Sequence, residues 1–212
     1  MVKLLKIFLH LKNKRFQDKD EEKLRGYFGN TFKKYIEFHH HISKDTYYFI
    51  PSRIQYKVIS GCLVILGIGK EADLLLSIVE DIMRVNIDGI DYKVQPEAVL
   101  TFHRIEVTKE FYSYSFKTPW FALNQSNYRK YRDGTLDLNK QLSNNILEFF
   151  KICGVLADKK IEVEGTFKKR KIRVKNTNII GFIGNFQANV VLPDYISLGK
   201  RKSIGLGRII RN

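Results

Sequence analysis

Three histidines stand together at His39, His40 and His41, directly after Phe38. Histidine is the side chain that gains and loses a proton near neutral pH without special tuning. In an extended or loop segment His39 and His41 project to one side and His40 to the other. Two imidazoles on one side can serve as a general base and a general acid. RNA supplies its own nucleophile, the ribose 2′-hydroxyl. Taking its proton while protonating the departing 5′-oxygen breaks the strand without a metal. Two other readings stand beside this one: a solvent-exposed His-rich turn, and a zinc site. H-x-H offers two ligands, whereas closed zinc sites use four and catalytic sites usually three. No Cys or carboxylate cluster lies nearby in the sequence to complete the set.

Two basic motifs occur much later. In the segment from Ser197 to Arg208, Gly199, Gly205 and Gly207 bracket Lys200, Arg201 and Lys202. Glycines permit positive φ and close backbone approach, so several N–H groups can converge on a phosphate. An ordinary glycine hairpin between two strands is the alternative. No GK[ST] pattern and no βαβ fingerprint surrounds these glycines, so no nucleotide cofactor is expected. The second motif is Lys168, Lys169, Arg170 and Lys171, expected in a hairpin loop and continued by Arg173 and Lys175. Arg173 and Lys175 alternate with Ile172 and Val174, which predicts one exposed and one buried strand face. Such a ribbon suits the phosphates of a duplex; a solvated charged loop is the alternative. Gly26 and Gly29 interrupt a helical pattern, which implies that a strand or ligand approaches it closely.

These residues sit in a chain of 212 residues with 37 Lys+Arg, 22 Asp+Glu and a net charge of +15. So large a surplus repels itself unless a polyanion offsets it. Gly165–Asn212 holds 11 Lys/Arg against Asp194 alone, so the surplus is concentrated at one end. Clustered charge without a basic amphipathic helix points to nucleic acid before membrane. Hydrophobic residues at 44% provide a real core. No apolar run approaches the roughly 20 residues of a membrane span. The N-terminal MVKLLKIFLHLKNK is broken by Lys6 and His10 and reads as a first strand rather than a leader. Cys62 and Cys153 are far apart with no CxxC spacing, which argues against a disulfide framework and for a reducing cytoplasm.

The positioning elements repeat along the chain. A strand at 3–11 precedes a helix near 19–35, with Asp18 and Glu21 spaced as a capping box. Leu24, Tyr27, Phe28, Phe32 and Tyr35 follow helical spacing on it. Strands near 46–58 and 62–68, a helix near 70–84 and a strand near 97–107 complete the order β-α-β-β-α-β of ferredoxin-like domains. The second half is less regular. It has a strand at 112–117, helical stretches at 119–132 (started by Thr118-Pro119) and 136–153, and a hairpin pairing 158–165 with 170–176. A strand at 179–192 and a short SIGLGRII strand complete it. The expected class is α+β, two tandem ferredoxin-like (RRM-like) domains of residues 1–108 and 109–212, the second degenerate, with the boundary near Val107–Glu110.

Five blocks together resemble a known family: LRGYFGNTF (24–32), FHHH (38–41), IPSRIQYKVISG (50–61), TPWFALNQSNY (118–128) and SLGKRKSIGLGR (197–208). In this order and spread over nearly the whole chain, they resemble the CRISPR repeat-processing endoribonucleases of the RAMP superfamily. The resemblance implies a tandem ferredoxin-like fold and metal-independent cutting within the repeats of a CRISPR precursor RNA, single-stranded or stem-loop. It implies products ending in a 2′,3′-cyclic phosphate and a 5′-hydroxyl. The family's catalytic histidine after the first helix, doubled as H-x-H in some branches, falls on His39 and His41. Its Tyr or Lys that steadies the pentacovalent phosphate has candidates in Lys44, Tyr47, Tyr48 and Lys57. The glycine segment matches G-x-G-x5-G-x-G with Ser197 in place of the first glycine. It is expected beside the RNA, with Gly199, Lys200, Arg201, Lys202, Gly205, Gly207 and Arg208 as contacts. The alternative is a non-catalytic RNA-binding subunit of a CRISPR ribonucleoprotein. Homodimerisation and association with an effector complex are compatible with either, and no membrane partner is expected.

Overall fold

The computed structural model describes residues 1–38, 52–174 and 177–212. They form two compact units: Met1–His103 with Ser203–Gly205, and Arg104–Lys202 with Leu206–Asn212. The strand expected from residue 46 is described from Ile54 onward; residues 39–51 lie outside the described residues.

In the first unit, strands β1 (Val2–His10), β2 (Ile54–Ile59), β3 (Cys62–Ile68) and β6 (Gln95–His103) form one antiparallel sheet in the order β2-β3-β1-β6. Helix α1 (Glu21–Thr31) comes after β1 and helix α2 (Lys70–Ser77) after β3. This is the ferredoxin-like order that the sequence predicts. Alternation along β1 sends Leu5, Ile7 and Leu9 into the core with Leu63 and Ile65 of β3 and Tyr56 and Val58 of β2. Leu24 and Phe28 of α1, and Ala72 and Leu75 of α2, cover that face. The opposite face is buried too: Leu4, Gln55, Lys57, Val64, Leu66 and Ile68 expose nothing. A small hairpin, β4 (Arg84–Ile87) with β5 (Ile90–Lys93), is inserted before β6.

Two local expectations shift. The capping pair lies one residue earlier than Asp18/Glu21: the Gln17 amide donates to the Asp20 carboxylate at 3.0 Å, and Lys23 Nζ donates to it at 2.8 Å. Glu21 is instead buried, 1% exposed, and accepts from the Val58 amide at 2.8 Å. Its carboxylate fills the space beside Gly205, where a Cβ would lie 1.8 Å from Oε2 at a φ of +76°. Gly26, by contrast, faces open space among the described residues, so no close neighbour explains it. Its cost is borne on an exposed helix surface.

In the second unit, β7 (Glu106–Phe116), β8 (Val163–Val174), β9 (Thr177–Val191) and β10 (Ile209–Arg211) form an antiparallel sheet in the order β10-β7-β9-β8. Two helices, α3 (Gln125–Arg132) and α4 (Leu138–Ile152), stand between β7 and β8. The glycine segment stands where the first unit has its second helix, which is the degeneracy expected. Leu142, Ile146, Phe149 and Phe150 of α4 are buried. Phe116 stacks on Trp120 at 5.5 Å and Tyr114 on Phe186 at 5.3 Å. Thr118-Pro119 does not start a helix. The Thr118 hydroxyl accepts from the Arg208 amide at 2.9 Å, and α3 begins later, capped by Asn124, whose side chain accepts from the Asn127 amide at 2.8 Å.

Gly205→Ala is expected to destabilise the protein by about 2–4 kcal/mol, from left-handed strain and overpacking together, read by urea unfolding. Asp20 supplies a second test. Burial alone would raise its carboxyl, but the bonds from Lys23 and Gln17 override this and hold it below its ordinary range. The stability so gained is complete above the unfolded value of about 3.9 and is lost as pH falls through the lower folded value. Urea unfolding of Asp20→Asn and the parent should therefore differ near neutrality and converge toward acid.

Candidate nucleic-acid interface

β8 is an edge strand, and the basic run lies inside it rather than in a hairpin loop. Lys168 pairs with Ile183, Lys169 with Phe182, Arg170 with Gly181, Lys171 with Ile180 and Arg173 with Asn178. The β8–β9 pairing runs on to Val174 opposite Thr177, and Lys175 lies outside the described residues. Cations suit an edge because they prevent a further strand from pairing there. All five described cations are exposed, and Ile172 is half-buried. Lys169 is steadied by an aromatic base: its Nζ lies 5.9 Å from the Tyr131 ring centroid, and Tyr131 meets Phe182 edge-on at 5.6 Å. Such a contact is worth about 0.5–1 kcal/mol at an exposed site.

Helix α3 adds Arg129, Lys130 and Arg132, all exposed. Arg129 and Arg132 share Asp133 at 3.7 and 3.2 Å, leaving a net positive end. The run YRKYR carried this signal in the sequence.

The glycine segment is a series of turns around a single 3-10 helical turn at Lys202–Ile204, with only Ile209–Arg211 forming the expected terminal strand. Gly199, Gly205 and Gly207 have positive φ, as does Arg201. Each glycine has a structural reason to lack a side chain. A Cβ at Gly199 would lie 2.7 Å from Trp120 Nε1, and one at Gly207 would lie 2.1 Å from the Leu198 carbonyl. The amides of Lys200 and Gly207 donate to the carbonyls of Phe121 (3.0 Å) and Pro119 (2.9 Å). Those two are therefore committed to the fold rather than aimed at an anion. Lys200 and Arg201 are exposed; Arg208 is buried, and Lys202 is buried and ion-paired with Glu148. The segment thus divides into two outward cations and a set of residues that secure it.

His39, His41, Lys44, Tyr47 and Tyr48 lie outside the described residues. The described chain on either side of them is firmly held. Phe38 is buried and packs on Phe32 at 5.5 Å and Phe28 at 6.0 Å. On the far side Arg53 pairs with the buried Glu71 at 3.5 Å. Desolvation raises the Glu71 carboxyl above its ordinary range, against the pull of Arg53. Lys57 stands in β2 opposite Val64 and is fully buried.

Two tandem ferredoxin-like units, the second carrying a basic edge strand and a glycine-rich segment in place of a helix, define a RAMP-type protein. The Cas6b N-terminal domain model matches residues 1–105 and the Cas6b C-terminal domain model residues 106–212. The chain belongs to the Cas6b family. It is similar to a crystal structure of Cas6b at 26% identity with a TM-score of 0.89, covering 100% of both chains. It is also similar to a structure described as CRISPR RNA processing endoribonuclease Cas6b, at 28% identity and a TM-score of 0.74, covering 99% of this chain and 100% of the other. An uncharacterized protein of Methanocaldococcus jannaschii is 31% identical over 141 residues, 63% of this chain and 96% of that protein. The resemblance seen in the sequence is thereby confirmed.

Replacing Lys168, Lys169, Arg170 and Lys171 together by Gln should lower stability by no more than about 1 kcal/mol, the worth of the Lys169–Tyr131 contact, because exposed positions rarely matter more. If these cations grip RNA, the slope of log affinity against log salt should fall by about 3–4 units, at 0.7–0.9 per lost phosphate contact. Filter binding across a salt series measures it. Lys202→Gln should leave that slope unchanged, since Glu148 already engages its charge.

Proposed function

We propose that this chain is a metal-independent endoribonuclease that cleaves CRISPR precursor RNA within its repeats. The observation that carries the reading is the match of both Cas6b domain models along the whole chain. A relative described as a CRISPR RNA processing endoribonuclease shares its fold from end to end. The exposed cations of β8, at the basic end of a chain of net charge +15, supply the attraction that a polyanionic substrate requires.

In the proposed chemistry one imidazole of His39 and His41 takes the proton of a ribose 2′-hydroxyl. The oxygen attacks the adjacent phosphorus, and the other imidazole protonates the departing 5′-oxygen. The products are a 2′,3′-cyclic phosphate and a 5′-hydroxyl. Negative charge gathers on the pentacovalent phosphate, where a cation or phenol from Lys44, Tyr47 or Tyr48 would offset it; Lys57, fully buried in β2, offers no exposed group for this. Phe38, directly before His39 in the sequence, is buried against Phe28 and Phe32; acid–base groups must be held in position to act. The reading places the protein in the cytoplasm, where the transcript is made.

The test is cleavage of the cognate repeat RNA in excess EDTA, with end-group analysis of the products. Cutting should persist, and a 2′-deoxy nucleotide 5′ of the scissile phosphate should abolish it. His39→Ala and His41→Ala should each slow cleavage by about 10²–10⁴-fold while RNA affinity is retained. A strict requirement for a divalent metal would overturn the mechanism. Tight binding without cutting would instead favour a non-catalytic RNA-binding subunit.

A further inference from the structure

The second unit contains a groove of about 620 Å³ that the proposed chemistry does not use. Phe121, Ile179 and Ile180 give it an apolar floor, and Tyr128, half exposed, gives it an aromatic wall. Gln125 and Asn178, which carry side-chain amides, and Lys200 of the glycine segment also line it.

The groove is a built feature. Asn124 and Asn127 lock the start of α3 by reciprocal bonds: the Asn124 amide donates to Asn127 Oδ1 at 2.6 Å, and the Asn127 amide donates to Asn124 Oδ1 at 2.8 Å. Asn127 Nδ2 further donates to the Ala122 carbonyl and to Gln141 Oε1, each at 3.0 Å. The backbone at Lys200 is fixed because its amide donates to the Phe121 carbonyl at 3.0 Å. The groove is also continuous with the basic strand. Tyr128 neighbours Tyr131 at 6.4 Å, and Lys169 of β8 stands over Tyr131.

We infer that this groove takes one unpaired nucleobase of the bound RNA. The base lies against Tyr128 over the apolar floor, the amides of Asn178 and Gln125 meet its polar edge, and Lys200 meets a flanking phosphate. An aromatic face with an adjoining cation is the arrangement by which single-stranded nucleic acid is held. An amide carries both donors and an acceptor, so it can read a base edge that a bare cation cannot. The cations of β8 confer affinity without sequence; this groove supplies selectivity at one position. The inference rests on the proposed RNA-binding function.

The probe is the repeat RNA made uncleavable by a 2′-deoxy nucleotide at the cut, together with a series in which each nucleotide in turn is abasic. For the unaltered protein, one abasic position should weaken binding about tenfold, the worth of one base–aromatic stack. Tyr128→Ala should weaken binding of the intact RNA by a similar factor, with an unchanged salt slope, and should make that abasic position neutral. Tyr128→Phe should restore near-parental binding, and Asn178→Ala should change which base is preferred there. Equal melting temperatures of the variants and the parent would exclude unfolding as the cause. If the unaltered protein binds no RNA, the proposed function falls and the groove assignment with it. If it binds RNA but Tyr128→Ala leaves affinity and the abasic profile unchanged, the groove assignment alone is overturned.

Discussion

A buried carboxylate organises the first unit. Glu21 opens α1, and removing its charge from water would cost several kcal/mol were it not matched. The start of a helix favours a negative charge, and the Val58 amide of β2 donates to it at 2.8 Å. Residues 203–205, from near the far end of the sequence, pack beside it with no room for a side chain at Gly205. Three segments distant in sequence thus converge on one buried carboxyl group. With its start fixed, α1 must present Leu24 and Phe28 to the sheet. Phe28 then seats Phe32 and Phe38, the last described residue before the histidine segment. The position of Phe38 is thus inherited, step by step, from where one carboxyl group is buried.

The β-α-β-β-α-β order of the first unit and the main strands and long helix of the second are legible in the sequence because core strands and helices carry strong periodicity: Leu5, Ile7 and Leu9 alternate, while Leu142, Ile146, Phe149 and Phe150 recur at helical spacing. Three features depart from the sequence pattern for physical reasons. A run of like charges at 168–171 looks like a solvated loop, yet an edge strand carries the same run at no cost to its one ladder. The inserted hairpin β4–β5 is short, but its turn is written in Asp88-Gly89, both with positive φ as a tight hairpin demands. The Asp18/Glu21 spacing satisfies a capping pattern, but burial of Glu21 at 1% exposure claims that carboxylate for tertiary packing. For the site, residue types point to the cations of β8, but not to which cations of the glycine segment face outward. Lys202 and Arg208 read like Lys200 and Arg201; only packing separates them.

The two units share a strand order and differ in the element after the third strand. In the first, α2 lies over the sheet, with Gly67 allowing close approach: a Cβ there would lie 2.8 Å from the Glu71 carbonyl. In the second, positive φ at Gly199, Arg201, Gly205 and Gly207 is incompatible with a helix. Turns around the short 3-10 stretch Lys202–Ile204 replace it, with the Lys200 and Gly207 amides spent on neighbouring carbonyls. A helix would distribute Lys200, Arg201 and Lys202 around its surface according to its pitch. A turn secured by the Phe121 and Pro119 carbonyls instead turns two cations outward and one inward to Glu148.

The separation of outward from inward cations governs how an anionic polymer is engaged. Exposed ammonium and guanidinium groups along β8 attract phosphate at any sequence, and salt weakens them together. They have no means of distinguishing one repeat from another. Selectivity requires groups whose partners are base edges and whose positions are held before RNA arrives, because ordering them on binding would cost affinity. In the second unit, the rigid features beside the basic strand are the capped start of α3 and the anchored Lys200. Both owe their rigidity to hydrogen bonds within the fold rather than to a ligand. A fold that replaces a helix with secured turns can therefore hold a backbone-anchored surface beside an array of exposed charges.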